Sequence, residues 1–187
     1  RVQTMVGIDK IKLNIPKKTL LQILEILITN PKWMFGYDND GDINTNYLNG
    51  ILNGINKDFG FTFTTFDAEK NLSENQTTLN VYADLIFQMV AEKNPYLNTK
   101  RICRVRWNYY HINSMTSFHI DSSNPNYTSI IYNLHSNDGG TEIITKDKKE
   151  FFKSEENEAL IFPSDLEHRG ISPKQSSSRF SLNIVLY

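Results

Sequence analysis

YTSIIYNLHSNDGGTEIITKDKKEFFKSEENEALIFPSDLEHRGIS, residues 127–172, breaks into short β-branched and aromatic runs divided by turn residues. The runs are Tyr127–Leu134, Gly139–Thr145, Glu150–Lys153, Glu158–Phe162 and Glu167–Ser172, with Asn137-Asp138-Gly139-Gly140 and Pro163-Ser164-Asp165 as turns. Runs of this length and composition, bounded by Gly, Pro, Asn and Asp, read as strands rather than helices. Working outward, Arg101–Tyr110 and Thr116–Asp121 upstream and Arg179–Tyr187 downstream have the same character. Eight short strands at close spacing predict a sandwich or barrel of jelly-roll type, a scaffold that converges side chains from several strands inside one mouth.

Upstream of about residue 98 the period changes. From Pro16 to Thr29, Leu20, Ile23, Leu24, Leu27 and Ile28 recur at helical spacing, with Pro16 where a helix start tolerates it. A second helix is expected from about Gln76 to Lys93, with Leu79, Tyr82, Ala83, Ile86, Met89 and Val90 on one side. Phe59, Phe61, Phe63 and the alternating threonines read as a strand, and Asn71 to Asn75 as a polar loop. The expected class is mainly β with flanking helices (α+β). Residues 1–98 form a helical flank whose helices pack on one sheet, residues 99–187 form the β core, and the whole chain is one domain. With 187 residues, of which 39% are apolar and 12% aromatic, the chain suffices for one substantial core.

Twenty basic and 21 acidic residues, well mixed, leave a formal charge of −1, which gives no footprint for nucleic acid or an anionic membrane. No apolar run reaches the ~20 residues of a membrane span, and no basic-then-apolar leader pattern opens the chain, so a soluble, cytoplasmic protein is expected. The single cysteine, Cys103, forms no internal disulfide and reads as a small apolar strand residue. The acidic segment Asp38–Asp42 resembles a calcium loop only in part. A loop starting at Asp38 requires Gly at its sixth position and Glu at its twelfth, where Ile43 and Asn49 stand, so a solvated turn is expected.

The chemistry concentrates in Phe118-His119-Ile120-Asp121. Along a strand the period of two throws His119 and Asp121 to one face. His168 opens a later strand and could join them once the strands close. Two imidazoles and one carboxylate on one face of an octahedron leave three positions open, as non-haem Fe(II) requires to bind an organic acid and O₂ together. Zinc is the competing metal, but the helical His-Glu-x-x-His segment of zinc hydrolases is absent. Arg179 follows His168 by eleven residues, and Ser181 shares its strand face; a planar guanidinium takes a carboxylate through two parallel hydrogen bonds, and the hydroxyl supplies another. Alternation also sets Arg104, Arg106, Asn108 and Tyr110 on one face of an early strand and Val105, Trp107 and Tyr109 on the other. His111 and His135 read as loop or strand-end histidines outside the ligand set.

In this ordered set the chain resembles the 2-oxoglutarate- and Fe(II)-dependent dioxygenases, especially the prolyl 4-hydroxylase-like branch. The set is Tyr110, His119-x-Asp121, Gly139-Gly140, Phe162-Pro163, His168 and Arg179-x-Ser181, over about Arg101 to Tyr187. The resemblance implies a double-stranded β-helix core with iron held by His119, Asp121 and His168. It implies the distal carboxylate of 2-oxoglutarate gripped by Arg179 and Ser181, with Tyr110 a further cosubstrate contact. Asn108-Tyr109-Tyr110 also resembles the cosubstrate pair of the alkylation-repair demethylases, which adds Asn108; Arg106 is a candidate for contact with substrate or support of the site. Val185 stands where those demethylases carry a second arginine, which argues against a nucleic-acid role. The implied reaction couples oxidative decarboxylation of 2-oxoglutarate by O₂ to hydroxylation of a substrate C–H bond, with ascorbate as an auxiliary reductant. The first choice of substrate is a prolyl or other peptide residue. A free amino acid or small metabolite, and a non-catalytic metal-binding module of the same fold, stay open. The loop Ile112–Ser117 and the segment Asn39–Phe66 are expected to cover the mouth.

Overall fold

The computed structural model describes residues 7–29, 33–35, 60–73, 77–112, 116–146 and 148–187. Their elements run, in chain order, β1 (Asp9–Lys12), α1 (Lys17–Thr29), β2 (Met34–Phe35), β3 (Phe61–Asp67), β4 (Leu72–Ser73), α2 (Thr77–Lys93), a 3₁₀ turn (Pro95–Thr99), β5 (Ile102–His111), β6 (Thr128–Asn133), β7 (Gly140–Thr145), β8 (Lys148–Lys153), β9 (Glu158–Pro163), β10 (His168–Ile171) and β11 (Ser178–Leu186). The strands form a larger sheet in the order β1-β9-β6-β11-β5-β3-β2, with β4 beside β3, and a smaller one in the order β10-β7-β8. Every strand pair is antiparallel.

Because successive strand residues face opposite sides, the larger sheet separates two kinds of burial. Val105, Trp107, Ile130, Tyr132, Leu182 and Ile184 belong to an apolar cluster that also holds Leu20, Ile23 and Leu27 of α1 and Leu79, Ala83, Ile86 and Val90 of α2. Each such fully buried aliphatic side chain contributes ~1.5–3 kcal/mol, which offsets the marginal stability of a 13-residue helix on its own. The Pro16 carbonyl accepts from the Thr19 and Leu20 amides and so starts α1. Pro95 follows α2, and Asn94 caps the next turn by accepting from the Tyr96 amide. On the opposite face, Ile131, Leu160 and Phe162 meet Ile143 of the smaller sheet in a second, smaller cluster. The space between the sheets is therefore only partly filled by apolar residues, and polar side chains of β5, β6 and β11 occupy the rest.

The structure departs from the pattern expected of the sequence in three places. Thr116–Asp121 is not a strand: it makes a single bridge, His119 opposite His168, because beyond it the Asp121 amide turns to the Ser164 carbonyl instead of continuing along β10. The polar loop at Asn71–Asn75 contains β4, held by Phe66 and Asp67. The short strands β1 and β2 were not expected; β1 buries Ile11 alone, so no alternation marks it. Asp38–Asp42 lies outside the described residues, as does most of the segment expected to cover the mouth. Among the described residues no helix is long and apolar enough to cross a membrane.

Candidate metal centre

Two backbone pairings bring the three expected ligands together. His119 and His168 exchange N–H···O bonds at 3.0 and 2.9 Å, which places their rings 4.5 Å apart between centroids. The Asp121 amide bonds the Ser164 carbonyl at 3.0 Å, in the turn after β9, and this swings the carboxylate back toward His168. One ligand atom from each of His119, Asp121 and His168 lies within 4.8 Å of the others, and His168 Nε2 stands 3.6 Å from Asp121 Oδ2.

Both imidazoles are set by the same local device. His119 Nδ1 faces the Ser117 carbonyl at 3.0 Å, and His168 Nδ1 faces the Leu166 carbonyl at 2.9 Å. A carbonyl only accepts, so each Nδ1 carries a proton and, in the neutral ring, Nε2 is left with the lone pair, the tautomer a metal needs. Desolvation of its ring among the neighbouring groups, and after it His168, lowers the pKa of His119 even though the residue as a whole is exposed, and this favours the neutral ring. Phe162, fully buried, meets the His168 ring edge-on at 4.8 Å and fixes its plane.

Asp121 is held as a carboxylate by donors from three strands. Arg104 Nη2 donates to Oδ1 at 2.5 Å, while Ser129 Oγ and Asn183 Nδ2 donate to Oδ2 at 2.7 and 3.0 Å. Ser129 gives its one proton to Asp121, so the Ser164 hydroxyl 2.8 Å away donates to Ser129 in turn. Burial alone would raise the Asp121 pKa, but His168, Arg104, His119 and the Asn183 hydrogen bond outweigh it and hold the group well below the usual carboxylate range. The donor set fits a divalent metal with nitrogen and oxygen ligands. Cis ligands at ~2.1 Å from a metal stand ~3 Å apart, so the 3.6 Å His168–Asp121 separation requires only a small adjustment.

The expected cosubstrate residues lie next door on β5 and β11. Their register sets Arg179 opposite Tyr110, Ser181 opposite Asn108 and Asn183 opposite Arg106. Arg179 is 1% exposed; Nη1 donates to the Gly140 carbonyl at 2.5 Å, Nη2 to Thr141 Oγ1 at 3.0 Å, and its guanidinium stacks 4.7 Å above the Tyr110 ring. Tyr110 lies flat over Gly170, where an added Cβ would meet its Cε1 and hydroxyl at 2.5 Å. Burial raises the Tyr110 pKa against the pull of Arg179, so the phenol is a neutral donor. Gly140 is required for a similar reason, since a Cβ there would lie 2.2 Å from the Phe152 carbonyl oxygen. Asn108 and Arg106 are also buried, on the same face of β5. Burial, with Arg104 second, pulls Arg106 down to about 10, which leaves it charged at neutral pH.

His135 and His111 are outside the ligand group: His135 Nε2 accepts the Phe180 amide at 3.3 Å, and His111 ends β5. Cys103 is buried, and burial, then Glu69 and Asp67, push its thiol up to about 11, where it is unreactive. The residues the sequence reading did not assign to the site are Arg104, Ser129, Ser164 and Asn183. Asn183 and Arg104 carried a signal, since each continues the two-residue period of a face already singled out. Ser129 and Ser164 carried none, because only the β6–β11 and β6–β9 registers bring them to Asp121.

No protein-family model matches the sequence, and no curated protein does at a significant level. Solved structures do match. An oxidoreductase of the 2OG-Fe(II) oxygenase family from Burkholderia pseudomallei is 17% identical with a TM-score of 0.59, covering 89% of this chain and 78% of its own. A Pseudomonas putida prolyl-4-hydroxylase is 10% identical with a TM-score of 0.60, covering 96% and 91%. HygX from Streptomyces hygroscopicus, solved with nickel and 2-oxoglutarate bound, is 9% identical with a TM-score of 0.60, covering 96% and 82%. At these identities the likeness is one of fold, and the chain has the mainly antiparallel β architecture on which these 2-oxoglutarate oxygenases are built.

Proposed function

We propose that the protein is a non-haem Fe(II) oxygenase that consumes 2-oxoglutarate and O₂ to hydroxylate a C–H bond, with a prolyl or other peptide residue as the first choice of substrate. The observation that carries this reading is the convergence of two Nε2 lone pairs and one carboxylate beside a buried arginine, tyrosine and serine on adjacent strands. The P. putida prolyl-4-hydroxylase supports the choice of a peptide by likeness of fold. The N-terminal helices are read as the outer layer of the larger sheet in one domain spanning 1–187, supported by the apolar cluster they share with that sheet.

In this reading His119, Asp121 and His168 hold the iron, and iron with 2-oxoglutarate and O₂ supplies the oxidising chemistry. The chain's own residues position and shield. The Ser117 and Leu166 carbonyls keep both imidazoles in the metal-binding tautomer. Ser129, Asn183 and Arg104 keep Asp121 ionised and aimed. Arg179 anchors the distal carboxylate of the cosubstrate, with Ser181 and Tyr110 as its hydroxyl partners and Asn108 alongside. Between the two sheets Phe162 and Ile143 exclude water from the buried side.

Anaerobic addition of Fe(II) and 2-oxoglutarate to the full chain tests the proposal. A weak visible charge-transfer band is expected, lost in His168→Ala and weakened in Arg179→Met. Metal binding without such a band would favour the metal-binding module, and turnover without O₂ consumption or succinate release would favour a hydrolase.

A further inference from the structure

Arg106 sits at the middle of β5 between Arg104 and Asn108, opposite Asn183 of β11 and Thr64 of β3. It is 8% exposed, and its Nε and Nη2, both buried, have no hydrogen-bond partner among the described residues. Across from it Asn183 Oδ1 is also buried without a partner. The Asn183 amide orientation is fixed, since its Nδ2 donates to Asp121, so the orphan atom is an acceptor. A guanidinium removed from water without acceptors is strongly destabilising, and such a group persists where a ligand completes it.

The carboxylates that act on Arg106 electrostatically are committed elsewhere. Asp121 receives Arg104, Ser129 and Asn183, and Asp67 Oδ1 receives the Glu69 and Lys70 amides. Among the described residues, Arg104, Arg106 and Arg179 thus share this face of β5 and β11 with Asp121 as the one carboxylate grouped with the metal-ligand histidines. A divalent metal adds positive charge rather than removing it. Arg179 answers one carboxylate, and a second negative group is needed beside the metal.

We infer that Arg106 binds a second planar oxyanion, a carboxylate, beside the metal centre and apart from the anion taken by Arg179, with Asn183 Oδ1 accepting from an N–H or O–H donor next to it. The carboxylate belongs either to the end of the 2-oxo acid nearer the metal or to the primary substrate. Only the naming of these two sources rests on the oxygenase reading. The second source narrows the substrate to an acid bearing a neighbouring amine or hydroxyl, such as an amino acid.

The test uses the full chain loaded with Zn(II), which binds without turnover, as wild type and Arg106→Gln. Calorimetry measures 2-oxoglutarate affinity, and thermal unfolding with added glycine or acetate, on protein saturated with 2-oxoglutarate, measures a further carboxylate site. A charge-assisted pair is worth about ten- to a hundredfold in affinity. Weakening of 2-oxoglutarate by that factor in Arg106→Gln assigns the carboxylate to the cosubstrate. Unchanged 2-oxoglutarate affinity with loss of a saturable stabilisation by glycine or acetate assigns it to the substrate. Equal behaviour of the two proteins in both assays overturns the inference. Without ligand, Arg106→Gln is expected to melt no lower than wild type, since its Nε and Nη2 give up no hydrogen bond to the described residues and a buried charge is removed, and a marked fall would show that the guanidinium serves the fold. Failure of wild type to bind 2-oxoglutarate, with Arg106-dependent carboxylate binding intact, would remove the oxygenase reading and leave the anion site standing.

Discussion

Ser129→Ala removes one hydroxyl from the molecule and separates the support of the metal centre from its ligands. Ser129 is fully buried, donates to Asp121 Oδ2 at 2.7 Å and accepts from Ser164 at 2.8 Å. A hydrogen bond to a charged group contributes about 1.5–3 kcal/mol, which corresponds to ten- to a hundredfold in metal affinity when the ligand loses its orientation. The alanine leaves no cavity beyond one oxygen, but it strands the Ser164 hydroxyl at a cost of about 1–3 kcal/mol. In a chain of this size that lowers the melting temperature by ~2–4 °C per kcal/mol. The control is Ser154→Ala, which deletes an equally buried hydroxyl that bonds Asn133 instead of Asp121. Calorimetric titration of metal-free protein with Co(II) should show the weakening for Ser129→Ala and not for Ser154→Ala. A cobalt affinity within twofold of wild type in a folded Ser129→Ala protein, or an equal loss in both variants, would refute the claim that Asp121 is held in place from β6.

Gly170→Ala forces Tyr110 out of its position over the glycine, so a loss of about 1–3 kcal/mol in stability is expected by urea unfolding; retention of wild-type stability would contradict the packing. Arg179→Met should weaken 2-oxoglutarate by about ten- to a hundredfold in Zn(II)-loaded protein while leaving zinc affinity within a few fold, read by calorimetry on both ligands. Asp138 accepts the Lys174, Gln175 and Ser176 amides at 2.8, 2.9 and 3.0 Å, and these bonds, the Ser176 one first, depress its pKa below the ordinary 3.8. A depressed carboxyl stabilises the fold above its unfolded pKa and loses that contribution as pH falls through the folded value. Asp138→Asn should therefore differ most from wild type in urea midpoint at pH 6, with a difference that begins to shrink below the ordinary 3.8 and vanishes only in strong acid beneath the folded pKa; a difference independent of pH would reject the role of its charge.

The β core was legible because its strands carry strong local signals. Seven of the eight expected runs, all but Thr116–Asp121, recur as β5 to β11 with shifts of a few residues at their ends. Turn residues such as Asn137, whose side chain accepts the Gly139 amide at 2.9 Å, mark where those strands stop. Thr116–Asp121 read as a strand because its alternation is genuine, yet its partner is a turn for half its length, and pairing partners are not written in a local period. His119 and Asp121 nonetheless converge, through the Ser164 carbonyl rather than through the pleat. The period of two placed Arg106, Asn108 and Tyr110 on one face of β5 and Arg179 and Ser181 on one face of β11, whereas their facing across the two strands, and that of Arg106 with Asn183, comes from register alone. What the sequence withheld is long-range: the Ser129–Ser164 relay and the contact of Tyr110 with Gly170 depend on strand order and register.

The proposed centre has His119, Asp121 and His168 meeting at one metal with Arg179 answering a dicarboxylic acid beside it. Crystals of the full chain grown with Mn(II) and 2-oxoglutarate, measured for anomalous scattering from manganese, address it directly. One strong peak is expected, bonded to both Nε2 atoms and an Asp121 oxygen, with the distal carboxylate of 2-oxoglutarate on Arg179. A peak ligated by other residues, or a 2-oxoglutarate molecule turned away from Arg179, would contradict it.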